Sequence, residues 1–69
     1  MSGLSLKKTV RAAGKDHTVP ITYVQEGSYH VVTAPRYDVE VRHLDRIEAF
    51  RRLETELVAA IERFVKARL

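Results

Sequence analysis

Sixty-nine residues, 45% of them apolar, with 12 Lys/Arg against 9 Asp/Glu and no cysteine, confine this chain to one small domain with a thin core. A chain of this length buries only about 60% of the surface its unfolded form exposes. Absence of cysteine excludes disulfides and thiolate metal sites, which leaves oligomerisation as the expected extra support.

The longest apolar stretches fall well short of the roughly 20 residues a membrane span needs, and no signal-like apolar run follows the start, so a cytoplasmic protein is expected. The net charge of +3 is unevenly placed. Residues 1–15 carry Lys7, Lys8, Arg11 and Lys15 and no acid, while residues 16–69 hold one more acid than base. Such a segment attracts phosphates, and it equally suits a charged edge strand that resists aggregation.

Along the chain, Leu4, Leu6, Val10 and Ala12 alternate with Ser5, Lys7, Thr9 and Arg11, as on the two sides of a strand, with Lys8 interrupting the apolar side. A turn is expected at residues 14–16. Residues 17–25 set Val19, Ile21 and Tyr23 on one side and Thr18, Pro20 and Thr22 on the other. Pro20 donates no ladder hydrogen bond, so an open edge or a bulge is expected there. Glu26-Gly27 reads as a tight turn. The next run, residues 29–34, is apolar on both sides, with Val31 and Thr33 opposed to Val32 and Ala34, as a central strand covered on each face would be. Its register against the preceding strand stays open between Val32 opposite Ile21 and Val31 opposite Tyr23. Residues 35–38 read as a turn, and Val39 and Val41 alternate with Glu40 and Arg42 in a short last strand.

At Asp45 the apolar period changes from 2 to 3.6. Asp45 is suited to an N-cap and Glu48 completes a capping-box-like pair. The helix is expected to run to Leu69, with Ile47, Phe50, Leu53, Leu57, Ala60, Ile61 and Phe64 facing the sheet and Phe50, Leu57 and Phe64 as anchors. The fold class expected is therefore α+β, an antiparallel sheet of three or four strands in β-β-β-β-α order with one long helix on one face. Val58, Val65 and Leu69 widen the helix stripe. Together with Tyr29 and Val31 they are the candidate partner or dimer interface, and a homodimer is expected.

No catalytic signature emerges. Ser28 near His30 lacks a nucleophile elbow, and Gly3, Gly14 and Gly27 are too dispersed for a phosphate loop. His17, His30 and His43 lack ligand spacing, so neither metal nor cofactor is implied. Tyr23, Tyr29 and Tyr37 interleave with basic residues, which raises nucleic-acid binding, with Lys7, Arg11 and Lys15 as the candidate phosphate contacts.

From residue 26 to residue 64 the order of features resembles the HicB-like antitoxins. It comprises a Gly-x-Tyr turn and strand (Gly27, Tyr29), a proline closing that strand (Pro35), a short further strand, and a helix opening with Glu-Ala (Glu48, Ala49). The resemblance implies a partial RNase H-like sheet-plus-helix fold that binds a small RNase toxin, commonly as a dimer. The leading functional expectation is a non-catalytic module that binds and regulates a partner protein; the competing one is a nucleic-acid binder using the basic first strand.

Overall fold

The structure, a computed structural model, describes residues 3–67. Four strands, β1 (Leu4–Ala12), β2 (Lys15–Glu26), β3 (Tyr29–Ala34) and β4 (Val39–His43), precede one helix, α1 (Arg46–Ala67). The strands form a single antiparallel sheet in the order β1-β2-β3-β4. This is the expected α+β architecture with four strands and the helix on one face.

Turn chemistry sets the register. The first turn is Ala13-Gly14, both at positive φ (54° and 77°), with Ala12 paired to Lys15. Two left-handed central residues give the primed turn whose twist matches that of the flanking strands. The turn therefore lies one residue ahead of its expected place, and Lys15 and Asp16 belong to β2. In the second turn Gly27 has φ 60° and Glu26 pairs with Tyr29. Glycine leads a two-residue Gly27-Ser28 loop, which puts Val32 opposite Tyr23. Neither register left open by the sequence is the one adopted, because both began the loop at Glu26, one residue too early.

The strands differ in length, and this shapes the molecule. β2 pairs with β1 from Lys15 to Tyr23 but with β3 only from Thr22 to Glu26. The sheet thus narrows from four strands to a two-stranded arm, and the molecule is 41 Å long but only 17–18 Å across. Pro20 lies on this arm, where β2 has no strand on its second side, as a residue without an N–H requires. The chain leaves the sheet at Ala34 through a single 3-10 turn, Pro35–Tyr37, closed by Asp38 in the left-handed region and its N–H to the Pro35 carbonyl (3.2 Å).

One helix runs along this elongated sheet. At 1.5 Å per residue its 22 residues reach about 33 Å. Asp45 caps it, its Oδ1 accepting from the N–H groups of Ile47 (2.9 Å) and Glu48 (3.3 Å). The Glu48 carboxylate pairs with Arg51 (3.2 Å) and Arg52 (3.7 Å), and the Asp45 N–H donates to His43 Nδ1 (2.9 Å). The cap is thus one-sided, with histidine taking the place that a capping-box glutamate would fill.

The core lies between α1 and one face of the sheet. Val10, Ala12, Val19, Ile21, Val32, Ala34, Val39 and Val41 meet Ala49, Leu53, Leu57, Ala60 and Ile61. The anchors are Leu53, Leu57 and Ile61, fully buried at intervals of four residues, each worth about 1.5–3 kcal/mol. Phe50 is half-buried, and the two ends of the expected stripe are open, with Ile47 68% and Phe64 49% exposed. Phe64 meets Tyr37 edge-on, with ring centroids 5.9 Å apart.

Ile47 diverges because of where it sits around the helix. At about 100° per residue, Ile47, Glu54, Val58 and Val65 share one flank, and the 3.2 Å ion pair between Lys8 and Glu54 shows that this flank faces β1. Val58 and Val65 are half-buried there as the rim of the core. Leu69 lies outside the described residues.

Among the described residues the other sheet face carries no second layer. Val31 points to it and is still only 7% exposed. Its cross-strand partners are Val24 and Arg42, and Arg42 is held across the sheet by Glu26 (3.0 Å) and the Tyr29 ring (5.8 Å). A long cationic side chain shields apolar surface through its stem, which is how a strand apolar on both faces is accommodated beneath a single helix.

Truncating Leu57 to Ala is expected to cost about 2–5 kcal/mol in chemical denaturation, whereas Ile47→Ala should stay within about 0.5 kcal/mol. Ala13→Asn, which suits the left-handed region better than alanine, is expected to stabilise by roughly 0.5–1 kcal/mol, read as a rise in the thermal midpoint.

Candidate protein-binding surface

The expected basic strand is divided by the sheet. Lys7 and Arg11 share the open face, as their spacing predicts, while Lys8 and Lys15 share the helix side, opposite Val19 and Ala12 respectively. Arg11 lies 3.3 Å from Asp16, its cross-strand partner, and Lys8 bridges to Glu54. Two of the four cations of the first 15 residues are thus matched by acids from later elements, a pairing invisible to a count along the chain.

The tyrosines are separated as well. Tyr23 stacks between His30 (5.8 Å) and Phe50 (5.7 Å) on the helix side, Tyr37 sits at the 3-10 turn against Phe64, and Tyr29, 43% exposed, lies beneath Arg42 on the open face. They form no stacking platform.

Each histidine is committed to the fold. His17 Nε2 donates to the Ala12 carbonyl (3.0 Å), bracing the first hairpin. His30 Nδ1 bonds the Tyr23 hydroxyl (2.7 Å). His43 stands directly across from His30, a pairing that would suit a metal. Its Nδ1, however, accepts from a backbone N–H, so the neutral ring carries its proton on Nε2 and has no second lone pair to offer. A metal-bound histidine has the reverse arrangement, donating through its other nitrogen. Among the described residues no group of three or more His, Asp or Glu converges. Ser28 sits in the second turn, two residues from a His30 already bonded to tyrosine.

What the structure leaves open is an apolar strip on the helix side. Leu4 is 57%, Leu6 40% and Ile47 68% exposed. Leu4 pairs with Tyr23, whose ring touches Phe50, and Lys8, two residues beyond Leu6, reaches Glu54, one turn beyond Phe50. The first half of β1 and the first two turns of α1 therefore run side by side, with Tyr23 and Phe50 between them. Among the described residues the outer edge of β1 pairs with no strand. Exposed Leu44, at 60%, extends apolar surface at the entry to the helix.

Sequence reasoning placed Leu4 and Leu6 on the apolar side of their strand and assigned Ile47 to the core. The missing signal was angular: Ile47 falls on the meridian of Val65, away from that of Leu53. Of the expected interface residues, Tyr29 is exposed, Val31 is buried, and Val58 and Val65 are partly covered.

Grooves lie on both sides of the sheet among the described residues. One, of about 480 Å³, lies between β4 and α1 and is lined by Arg42, Arg51, Arg52, Glu40 and Glu56. Its cations are matched internally, Arg51 and Arg52 by Glu48 and Arg42 by Glu26. The other, of about 280 Å³, lies where β3 ends, lined by Ser5, Lys7, Pro20, Thr22, Pro35 and Arg36 together with Leu6 and Ile21.

No protein-family model, no curated protein and no solved structure matches this chain. Among the described residues, no helix is long and apolar enough to cross a membrane.

Proposed function

We propose that this protein is a non-catalytic module that binds and regulates a partner protein, the role implied by the HicB-like resemblance. The observation that carries the reading is the strip of Leu4, Leu6 and Ile47 beside the unpaired edge of β1. Contiguous exposed apolar side chains mark interaction sites, and a free strand edge adds main-chain hydrogen bonds to a partner strand. Dispersal of the basic residues over two faces, two of them matched by acids, supports this reading over nucleic-acid binding, which would draw on Lys7, Arg11 and Lys15 together.

The same strip serves self-association. A homodimer formed through it would cover Leu4, Leu6 and Ile47 in the free protein, so partner binding and dimerisation would compete. Tyr29, on the far face, stands apart from that contact.

Affinity capture from an extract of the source organism, after nuclease treatment and at two salt concentrations, is expected to retain a partner protein at both. A nucleic-acid contact through the basic strand would weaken steeply, with a log–log slope near −0.7 per phosphate for single strands. Leu6→Glu should abolish capture while leaving the circular dichroism spectrum unchanged. Retention of the partner by Leu6→Glu would overturn the assignment of the strip. In sedimentation equilibrium the unmutated protein is expected at twice 7.9 kDa and the Leu6→Glu variant at the monomer mass.

A further inference from the structure

We propose that the groove at the step in the sheet is a recognition site for an acidic, extended segment of a partner protein, which lays an apolar side chain over Pro20 and Pro35 and sets carboxylates against Lys7 and Arg36. This deepens the partner-binding reading and rests on it, but it uses the open side of the sheet rather than the helix side.

The groove exists because β3 stops before β2 does. At Ala34 the chain turns away through Pro35–Tyr37 while β2 continues toward the hairpin tip, so Pro20 and Pro35 face a space that a longer β3 would have filled. Before Thr22, β2 pairs only with β1, and the backbone groups on its other side are available to an added extended chain. Pro20 cannot donate there, so the segment's register is limited to positions that do not require an N–H at that point.

Charge selects the occupant. Arg11, Lys8, Arg42, Arg51 and Arg52 each have a carboxylate within 3.7 Å. Lys7 and Arg36 come from different elements, line the same groove, and have no ion-pair partner among the described residues. Two cations left unmatched at one groove are complementary to paired carboxylates, and an arginine favours bidentate contact with a planar carboxylate. The two prolines make the remainder largely apolar, which suits an aliphatic side chain between acidic residues. A nucleic acid fits less well, since Arg11 is engaged by Asp16 and no tyrosine lies in the groove to stack on a base.

The test is titration of the ¹⁵N-labelled full chain with a capped hexapeptide of alternating glutamate and valine, compared with the same peptide carrying glutamine for glutamate. The acidic peptide is expected to shift the amides of Ser5, Lys7, Thr22 and Arg36. Lys7→Ala and Arg36→Ala should each weaken it about tenfold, with amide dispersion elsewhere unchanged because both side chains are exposed. The glutamine peptide should bind at least about tenfold more weakly. Equal binding of the two peptides, shifts confined to Leu4, Leu6 and Ile47, or no shift at millimolar peptide would overturn the proposal. A single-stranded oligonucleotide shifting the same four amides at lower concentration than the peptide would reassign the groove to phosphate. If the peptide fails while the intact protein still captures a partner sensitive to Leu6→Glu, the partner-binding reading stands and this one alone falls.

Discussion

A single helix must close the whole core, and every other feature of the molecule follows from how far one helix reaches. Leu53, Leu57 and Ile61 provide a seam one side chain wide, against a sheet that is four strands broad at one end and two at the other. The seam covers Val32 and Val41 near its start and Val10, Ala12 and Val19 toward the hairpin tip. Since α1 follows β4 directly and flanks β1 at Glu54, it leaves the first half of β1 uncovered. Leu4 and Leu6 are exposed for that reason, although both point to the core side of the sheet.

The open face is managed with charge in place of a second layer. Arg42, Glu26 and Tyr29 form one cross-strand group beside Val31, and Thr9 bonds Thr18 across the first hairpin at 3.1 Å. Exposed ion pairs of this kind contribute only about 0.2–1 kcal/mol each, so their main effect is to keep apolar surface wetted and strands in register. Arg11–Asp16 does the same on the two-stranded arm. Lys7 and Arg36 stand outside that pattern, and the groove they line keeps an unbalanced positive charge among the described residues.

The fold was legible because its signals are local. Alternation at period 2, glycines at the turns and the capped change of period at Asp45 each act within a few residues, and together they determine element order and fold class. The details that escaped depend on partners distant in sequence. The register of β2 against β3 followed from which two residues formed the loop, and both Gly27-Ser28 and Glu26-Gly27 contain the needed glycine. Phe50 and Phe64 outrank Leu53 and Ile61 in apolar area and share the meridian of Leu57, yet they lost the anchor positions because they lie in the first and last turns of the helix. Pairing of Lys8 with Glu54, 46 positions away, could not be read from charge spacing. Binding surfaces are the least legible of all, since they consist of what the helix fails to cover.

The two open features flank one short stretch of chain. Within Leu4–Lys7 the even residues point to the helix-side strip and the odd ones, Ser5 and Lys7, to the groove. A strand that added to the free edge of β1 would likewise alternate between the two sides, and an acidic-apolar alternation would place its apolar residues beside Leu4 and Leu6 and its carboxylates on the side of Lys7. The charge pattern of β1 thus acts as a filter on its own edge. Another copy of β1 carries Lys7, Lys8 and Arg11, and like charges brought opposite one another are destabilising, so self-pairing is restricted to registers that keep the lysines apart. An acidic strand meets no such restriction. The lysines of the edge left open by a single helix therefore restrict the registers of a self-paired dimer more than those of an acidic strand.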